Sequence, residues 1–324
     1  MTTAFSLKRI LPAVLGISFV GVAHAAVPVI DLGVASGYSG FFYGNVSNVA
    51  DVEGKLAVGG NLTTSGFSIG YRVPNGTAGP AVVIGGNAAL GDGTIYGPAP
   101  AGVDTNASIG PVTEYTKNWN GYGVYGGSNT SKSYLTLNKQ ANAIDFGAAK
   151  TQLTQLSSTL NSQSAHGAVV IDGSGMHLTG DGVSDVQVFD VNTRDLKNLV
   201  LSNVKSNATV IINVTGTGAV NFSGGQDGEL EALRGHVLYN LNDATTVNVG
   251  TFVYGSVLAN AANLIGTGHL EGNIIAQSMT GKVEIGYEPF SGRLPTSPVP
   301  EPESWAMLLA GLGVAGWMAR RRAR

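Results

Sequence analysis

Two carboxylates facing each other across a cleft can cleave a glycosidic bond, one as acid and the other as base or nucleophile. The chain offers two groups of candidates, Asp227, Glu229 and Glu231, and Asp172, Asp181 and Asp185. No motif fixes two of them opposite each other, and acidic residues among Gly and Ser are also ordinary turn formers. The same oxygens could hold Ca²⁺ in Asp172-Gly173-Ser174-Gly175 or Gly225-Gln226-Asp227-Gly228-Glu229, although neither loop has EF-hand spacing. Gly66-Phe67-Ser68-Ile69-Gly70 fits a nucleophile elbow by letter, but Pro74, Gly76, Gly79 and Pro80 deny it the helix that must follow. Gly311-Leu312-Gly313-Val314-Ala315-Gly316 fits a dinucleotide fingerprint equally emptily, with no strand before it and no acidic residue after it. His166, His177, His236 and His269 show no one-turn zinc-protease spacing, and the absence of cysteine removes thiol chemistry, disulfides and Cys-ligated metals. The expectation is a protein that is not an enzyme and needs no cofactor or metal. A polysaccharide-active lyase or hydrolase built on the acidic loops is the alternative.

Tyr115, Trp119, Tyr122, Tyr125 and Tyr134 lie among Gly, Asn and Ser. Aromatic rings with polar tips stack on sugars or dock on proteins, so the first four form a candidate contact patch; the other reading is a long loop covering one end of the fold. Ice binding, the lesser alternative, needs ranked Thr pairs on successive coils. Thr215, Thr217, Thr245, Thr246 and Thr267 do not form that ladder.

The elements that would carry these residues are mostly strands. Gly fills 47 of 324 positions and only 12% of residues are charged, a composition suited to short strands and tight turns rather than helical bundles. Short apolar runs bounded by Gly and Asn recur at residues 55–58, 81–84, 209–214, 237–241, 245–249 and 282–285. Val58-Gly59-Gly60-Asn61 returns as Ile84-Gly85-Gly86-Asn87. Gly255-Ser256-Val257-Leu258-Ala259-Asn260 returns 17 residues on as Gly272-Asn273-Ile274-Ile275-Ala276-Gln277, and Val52-Glu53-Gly54-Lys55-Leu56 is echoed by Leu270-Glu271-Gly272-Asn273-Ile274. Coils stacked on coils leave such phrases, which favours a β-solenoid over a β-sandwich. Residues 145–163 differ: Ala149, Leu153, Leu156 and Leu160 make one apolar stripe, with Asn142 or Asp145 as N-cap, predicting a long helix laid along the stack.

The ends read as addresses. Residues 1–25 carry Lys8 and Arg9, an apolar run and Ala23-His24-Ala25 before Ala26, the layout of a cleaved secretory signal. Residues 305–319 are apolar and precede Arg320-Arg321-Arg322, a short membrane segment with its C-terminus held inside. Without the bases and acids of these ends, 12 basic and 19 acidic residues remain, a net of −7 that argues against nucleic-acid binding.

With Pro300-Glu301-Pro302, the helix and the Arg320–Arg322 run in order, the tail resembles the PEP-CTERM sorting signal. That resemblance implies an exosortase-type sorting protease as partner and a cell-surface or matrix destination after transient inner-membrane anchoring; an uncut anchor is the other reading. Residues 51–61, the helix and residues 237–264 are together similar to the choice-of-anchor A family, which implies adhesion, with exopolysaccharide or other surface proteins as partners. Early coils, one helix, then later coils is also an order similar to that of bacterial ice-binding β-solenoids, a likeness of architecture only. The expected organisation is signal 1–25, adhesive β-solenoid domain 26–292, Pro-rich linker 293–299 and sorting segment 300–324.

Overall fold

The computed structural model describes residues 30–74, 76–97, 120–294 and 320–321. The first half contributes β1 (Gly40–Phe42), β2 (Val46–Ser47), β3 (Asp51–Val52), β4 (Leu56–Val58), β5 (Leu62–Thr64), β6 (Phe67–Ile69), β7 (Val82–Ile84), β8 (Ala88–Leu90), β9 (Gly93–Ile95), β10 (Gly123–Tyr125) and β11 (Leu137–Lys139). Helix α1 (Phe146–Asn161) follows. The second half begins with β12 (Ala168–Ile171), β13 (Met176–Thr179), β14 (Val186–Val191), β15 (Asp195–Ser202), β16 (Thr209–Val214) and β17 (Gly218–Gln226), then helix α2 (Gly228–Ala232). It ends with β18 (Val237–Asn240), β19 (Ala244–Val249), β20 (Phe252–Tyr254), β21 (Ser256–Gly266), β22 (His269–Glu271), β23 (Ile274–Met279) and β24 (Glu284–Ile285).

These strands stack into three ladders, parallel except for the antiparallel β12–β13 pair, in a β-helix-like arrangement. The first runs β14–β16–β18–β21–β23–β1–β4–β7–β10–β11. The second runs β12–β13–β15–β17–β19–β21–β23–β2–β5–β8, and the third β20–β22–β24–β3–β6–β9. In each, the last strands of the chain sit against the first. The chain therefore builds one half, returns along the side through α1, and starts the second half at the opposite end.

The repeats are coil spacings. Val257 pairs with Ile274 and Ala259 with Ala276, and Val58 pairs with Ile84. At that corner a Cβ on Gly59 or Gly85 would sit 2.4 Å from the carbonyl oxygen of Tyr43 or Gly59 on the preceding coil, so only glycine fits. The neighbouring asparagines tie the coils: the Asn61, Asn87 and Ser128 amides donate to Asn45, Asn61 and Asn87 Oδ1, each at 2.8 Å.

Helix α1 starts where Asp145 accepts from the Ala148 amide at 2.9 Å. At about 1.5 Å per residue its 16 residues span about 24 Å. Five strand spacings of ~4.8 Å cover the same distance, matching the run from β4, where Phe146 meets the Gly59 corner, down to β16, where the Leu160 carbonyl is bound. One helical turn thus advances about one coil. Ala149, Leu153 and Leu160 pack on the outward row Phe41, Ala57, Val83, Leu258 and Ile275, separate from the interior core. Leu156 is only half-buried, and the buried position beside it is Ser157. Among the described residues no helix is long and apolar enough to cross a membrane; the cleavage site at Ala23, Ala25 and Ala26, the segment 305–319, Pro300, Glu301, Pro302 and Arg322 lie outside them.

Candidate functional site

The second ladder has an outward side that nothing described covers. Along β17, β19, β21, β23, β2, β5 and β8 there is no charged residue. Outward from it stand Asn45, Asn61, Thr63 and Asn87 on one half and Asn248 and Thr280 on the other, all exposed. Alternation in each strand sends Leu62, Val247, Leu264 and Met279 into the core and leaves amides and hydroxyls outside. Several are held: Asn263 accepts from Ser278 at 2.8 Å and donates to Thr280 Oγ1 at 2.9 Å, and Asn221 donates to Asp195 at 2.7 Å. The result is a polar face about 29 Å long, six spacings of ~4.8 Å.

The third ladder presents ionisable groups instead. Register places Leu270, Ile285 and Val52 in one row, so Glu271, Gly286 and Glu53 form the next. Arg72 binds Glu53 and lies 3.7 Å from Glu271 Oε1. His269 Nε2 is 2.8 Å from Glu271 Oε2, its Nδ1 is 3.4 Å from Glu284, and its ring stacks on Phe252 at 4.3 Å. Tyr71 donates to Glu53 at 2.9 Å, as does the Tyr287 amide. Burial opposes charge on His269, but the hydrogen bond and charge of Glu271, with Glu284 and Glu53, outweigh it and raise the imidazole pKa. Although two carboxylates, a His and a Tyr look catalytic, Glu271 is 1% exposed and Arg72 4%. No sugar reaches a carboxylate so enclosed, and the guanidinium already occupies the space between the two glutamates. Because Glu271 comes from the second half and Glu53 and Arg72 from the first, the cluster is a buried ionic staple across the junction.

The structure separates the acidic candidates and gives most of them structural partners. Asp227 caps α2 and accepts from the Leu230 and Leu201 amides at 3.4 and 3.2 Å. Glu229 is exposed, with its pKa raised by burial and then by the charge of Asp227; Glu231 accepts from Arg234 through its carbonyl at 3.2 Å. Asp181 is held well below the usual carboxylate range by hydrogen bonds, first from the Ser184 hydroxyl and amide and then from the Val183 amide. Asp185 pairs with Lys205 at 2.6 Å. Asp172, Ser174 and His177 form a group that mimics a triad but is wired differently. The Ser174 hydroxyl lies 2.6 Å from Asp172 and 2.8 Å from His177 Nε2, and the same Nε2 is the nitrogen 3.5 Å from Asp172. A working triad needs the acid on the other ring nitrogen. Among the described residues no group of three or more His, Asp or Glu is arranged for a metal, and no buried side-chain polar atom lacks a partner.

Of the aromatic patch, Tyr115 and Trp119 lie outside the described residues. Tyr122 packs with the outward cluster and Tyr125 against the interior core, on opposite sides of β10. Arg320 and Arg321 are helical, with exposed side chains.

The ladders and the open face define a β-helix-like protein with a polar face rather than an enclosed cleft. Residues 31–287 match the family model described as "Putative Ice-binding-like adhesive domain", and the chain belongs to that family. Residues 298–322 match the PEP-CTERM protein-sorting motif, which marks an exported protein of the cell surface or extracellular space and implies processing by exosortase-type machinery. Among solved structures, the ice-binding protein of the Antarctic ascomycete Antarctomyces psychrotrophicus is 13% identical, with 82% of this chain and 98% of that one covered and a TM-score of 0.36. A glycosylated ice-binding protein from an Arctic yeast is 15% identical over 86% and 99%, TM-score 0.32. The DUF3494 domain of a Shewanella frigidimarina ice-binding protein is 12% identical over 82% and 98%, TM-score 0.36. No curated protein matches the chain.

Proposed function

We propose that the chain is a non-enzymatic adhesive or structural protein that holds exopolysaccharide or neighbouring surface proteins on its second-ladder face. The observation that carries this reading is that face: long, free of charge along its central strands, with amides and hydroxyls already oriented by one another. Such a surface forms many weak hydrogen bonds, which become effective when many copies share one cell or matrix. Its chemistry does not depend on ions, so moderate salt should leave binding nearly unchanged. The aromatic residues Tyr115, Trp119 and Tyr122 would add a stacking contact. On this reading the domain spans 26–292, residues 293–299 form the linker, cleavage before Ala26 removes the signal, and an exosortase-type protease removes the segment after Pro300-Glu301-Pro302. The test is retention of the exported chain on exopolysaccharide from its own source, with Thr63→Glu and Thr280→Glu on the face and Asp227→Asn and Glu229→Gln as controls. Loss with the first pair alone supports the reading. New reducing ends or unsaturated sugars, abolished by the second pair, would favour the polysaccharide-active enzyme, and thermal hysteresis without polysaccharide retention would favour ice binding.

A further inference from the structure

The two ends of the stack are chemically unlike. At one end, residues 165–191 carry Asp172, Asp181, Asp185 and Asp190 and no Lys or Arg; Asp185 is shared with Lys205 at 2.6 Å, which leaves Asp172 and Asp181 as the forward charge. Among the described residues strand β12 pairs on one edge only, with β13, and in the opposite direction to every other pairing. Val170 and Ile171 on β12 are 55% and 51% exposed and Val183 is 71% exposed, three of the five large apolar residues exposed among those described. At the other end, residues 128–140 carry Lys132 and Lys139 and no acidic residue. Among the described residues strand β11 pairs only with β10, and Tyr134, 61% exposed, supplies a fourth of those apolar side chains. Lys132 is shared with Asp92 at 3.3 Å, which leaves Lys139 as the forward charge.

We propose that the molecule associates head to tail with a second copy of itself, the acidic apolar end at β12 and the 181–185 turn meeting the basic end at β11 and Tyr134. Each end has what the other lacks. A one-sided strand edge is a template for another chain, exposed Val and Ile gain from burial against Tyr134 and Leu135, and opposite charges set the orientation and disfavour contact between like ends. Because the two surfaces differ, the contact is heterologous and does not close on a pair; it propagates along the stack axis.

The cysteine-free sequence makes the test direct. Strand β12 and strand β8 end the second ladder nine strand spacings apart, about 43 Å at ~4.8 Å each, and β11 lies at the β8 end, so Ile171 and Asn138 of one molecule are far beyond the ~7 Å Cα limit of a disulfide. A cross-link between Ile171→Cys and Asn138→Cys can therefore form only between molecules. In the full exported chain carrying both substitutions, mild oxidation should give a ladder of dimers, trimers and higher species on a non-reducing gel. Mixing the two single variants should give at least tenfold more dimer than either alone, and Val170→Cys with Thr136→Cys tests the alternative facing of the two strands. Lys139→Glu should lower the yield severalfold, and Asp172→Lys in the partner copy should restore it. Absence of cross-links for both pairs, as expected if residues 98–119 cover β11, would overturn the proposal. Equal dimer from each single variant would do so too, by showing contact between like ends.

Discussion

The first and second ladders come from the same coils, yet asparagine does opposite work on them. Under α1, Asn260, Asn240 and Asn213 donate to the Leu153, Ser157 and Leu160 carbonyls at 3.0, 2.9 and 3.1 Å. Ser157 returns a hydrogen bond to Asn240 at 2.5 Å, and Asn240 also donates to Asn213 at 2.9 Å. Those amides are buried and committed. On the second ladder, Asn45, Asn61 and Asn87 give their side-chain oxygens to the next coil's backbone and stay exposed. A stack of parallel coils does not itself decide which side is core-like and which meets the outside. The returning helix decides it, because its pitch nearly matches the coil spacing and it can bond coil after coil.

That contrast ranks the effects of substitution. Leu153→Asp would place a charge in the dry seam between α1 and the first ladder and should cost about 3–5 kcal/mol in chemical denaturation; an unchanged midpoint would mean that α1 does not dock through this stripe. Arg72→Met strikes the junction of the two halves, leaving Glu271 buried without its guanidinium. We expect a loss of about 3 kcal/mol, the low end for breaking a buried pair, because His269 remains on Glu271. Asn240→Leu keeps the volume but removes the donor to Ser157 and Asn213 and should cost about 1–3 kcal/mol. The same change at exposed Asn248 should stay within about 0.5 kcal/mol, and equal losses at both positions would erase the distinction between the sides.

Protonation gives a smaller and reversible probe of the junction. The folded-state pKa of His269 is raised, so the charged imidazole contributes stability that is fully present below its unfolded value, about 6.5, and is lost as pH rises through the folded value. Melting temperature should therefore fall across neutral and mildly alkaline pH, and His269→Gln should flatten that stretch of the profile. A wild-type profile rising over this range would contradict the assignment.

Much of this was legible before any coordinates. The 17-residue echo is one coil, and the spacing of Ala149, Leu153 and Leu160 located α1. Ser157 escaped because a polar residue between apolar ones reads as exposed, and only Asn240 across the seam makes burial affordable. The staple escaped because Arg72, Glu53 and His269 are far apart in sequence, although the echo of Val52-Glu53-Gly54 in Leu270-Glu271-Gly272 already placed the two glutamates in equivalent coil positions. The open face could not be read, since Asn, Ser and Thr build turns and faces with the same letters; only ladder register tells them apart.

The central claim is that contact is made by the uncovered second-ladder side. Hydroxyl-radical footprinting of the chain bound to its own matrix polysaccharide measures this directly. Protection should fall on residues of the second ladder, including the half-buried outward Ile265, with labelling of α1 and of the acidic turns at Asp181 and Asp227 unchanged. Protection concentrated at those turns or at α1, with Ile265 labelled as in the free protein, would contradict it.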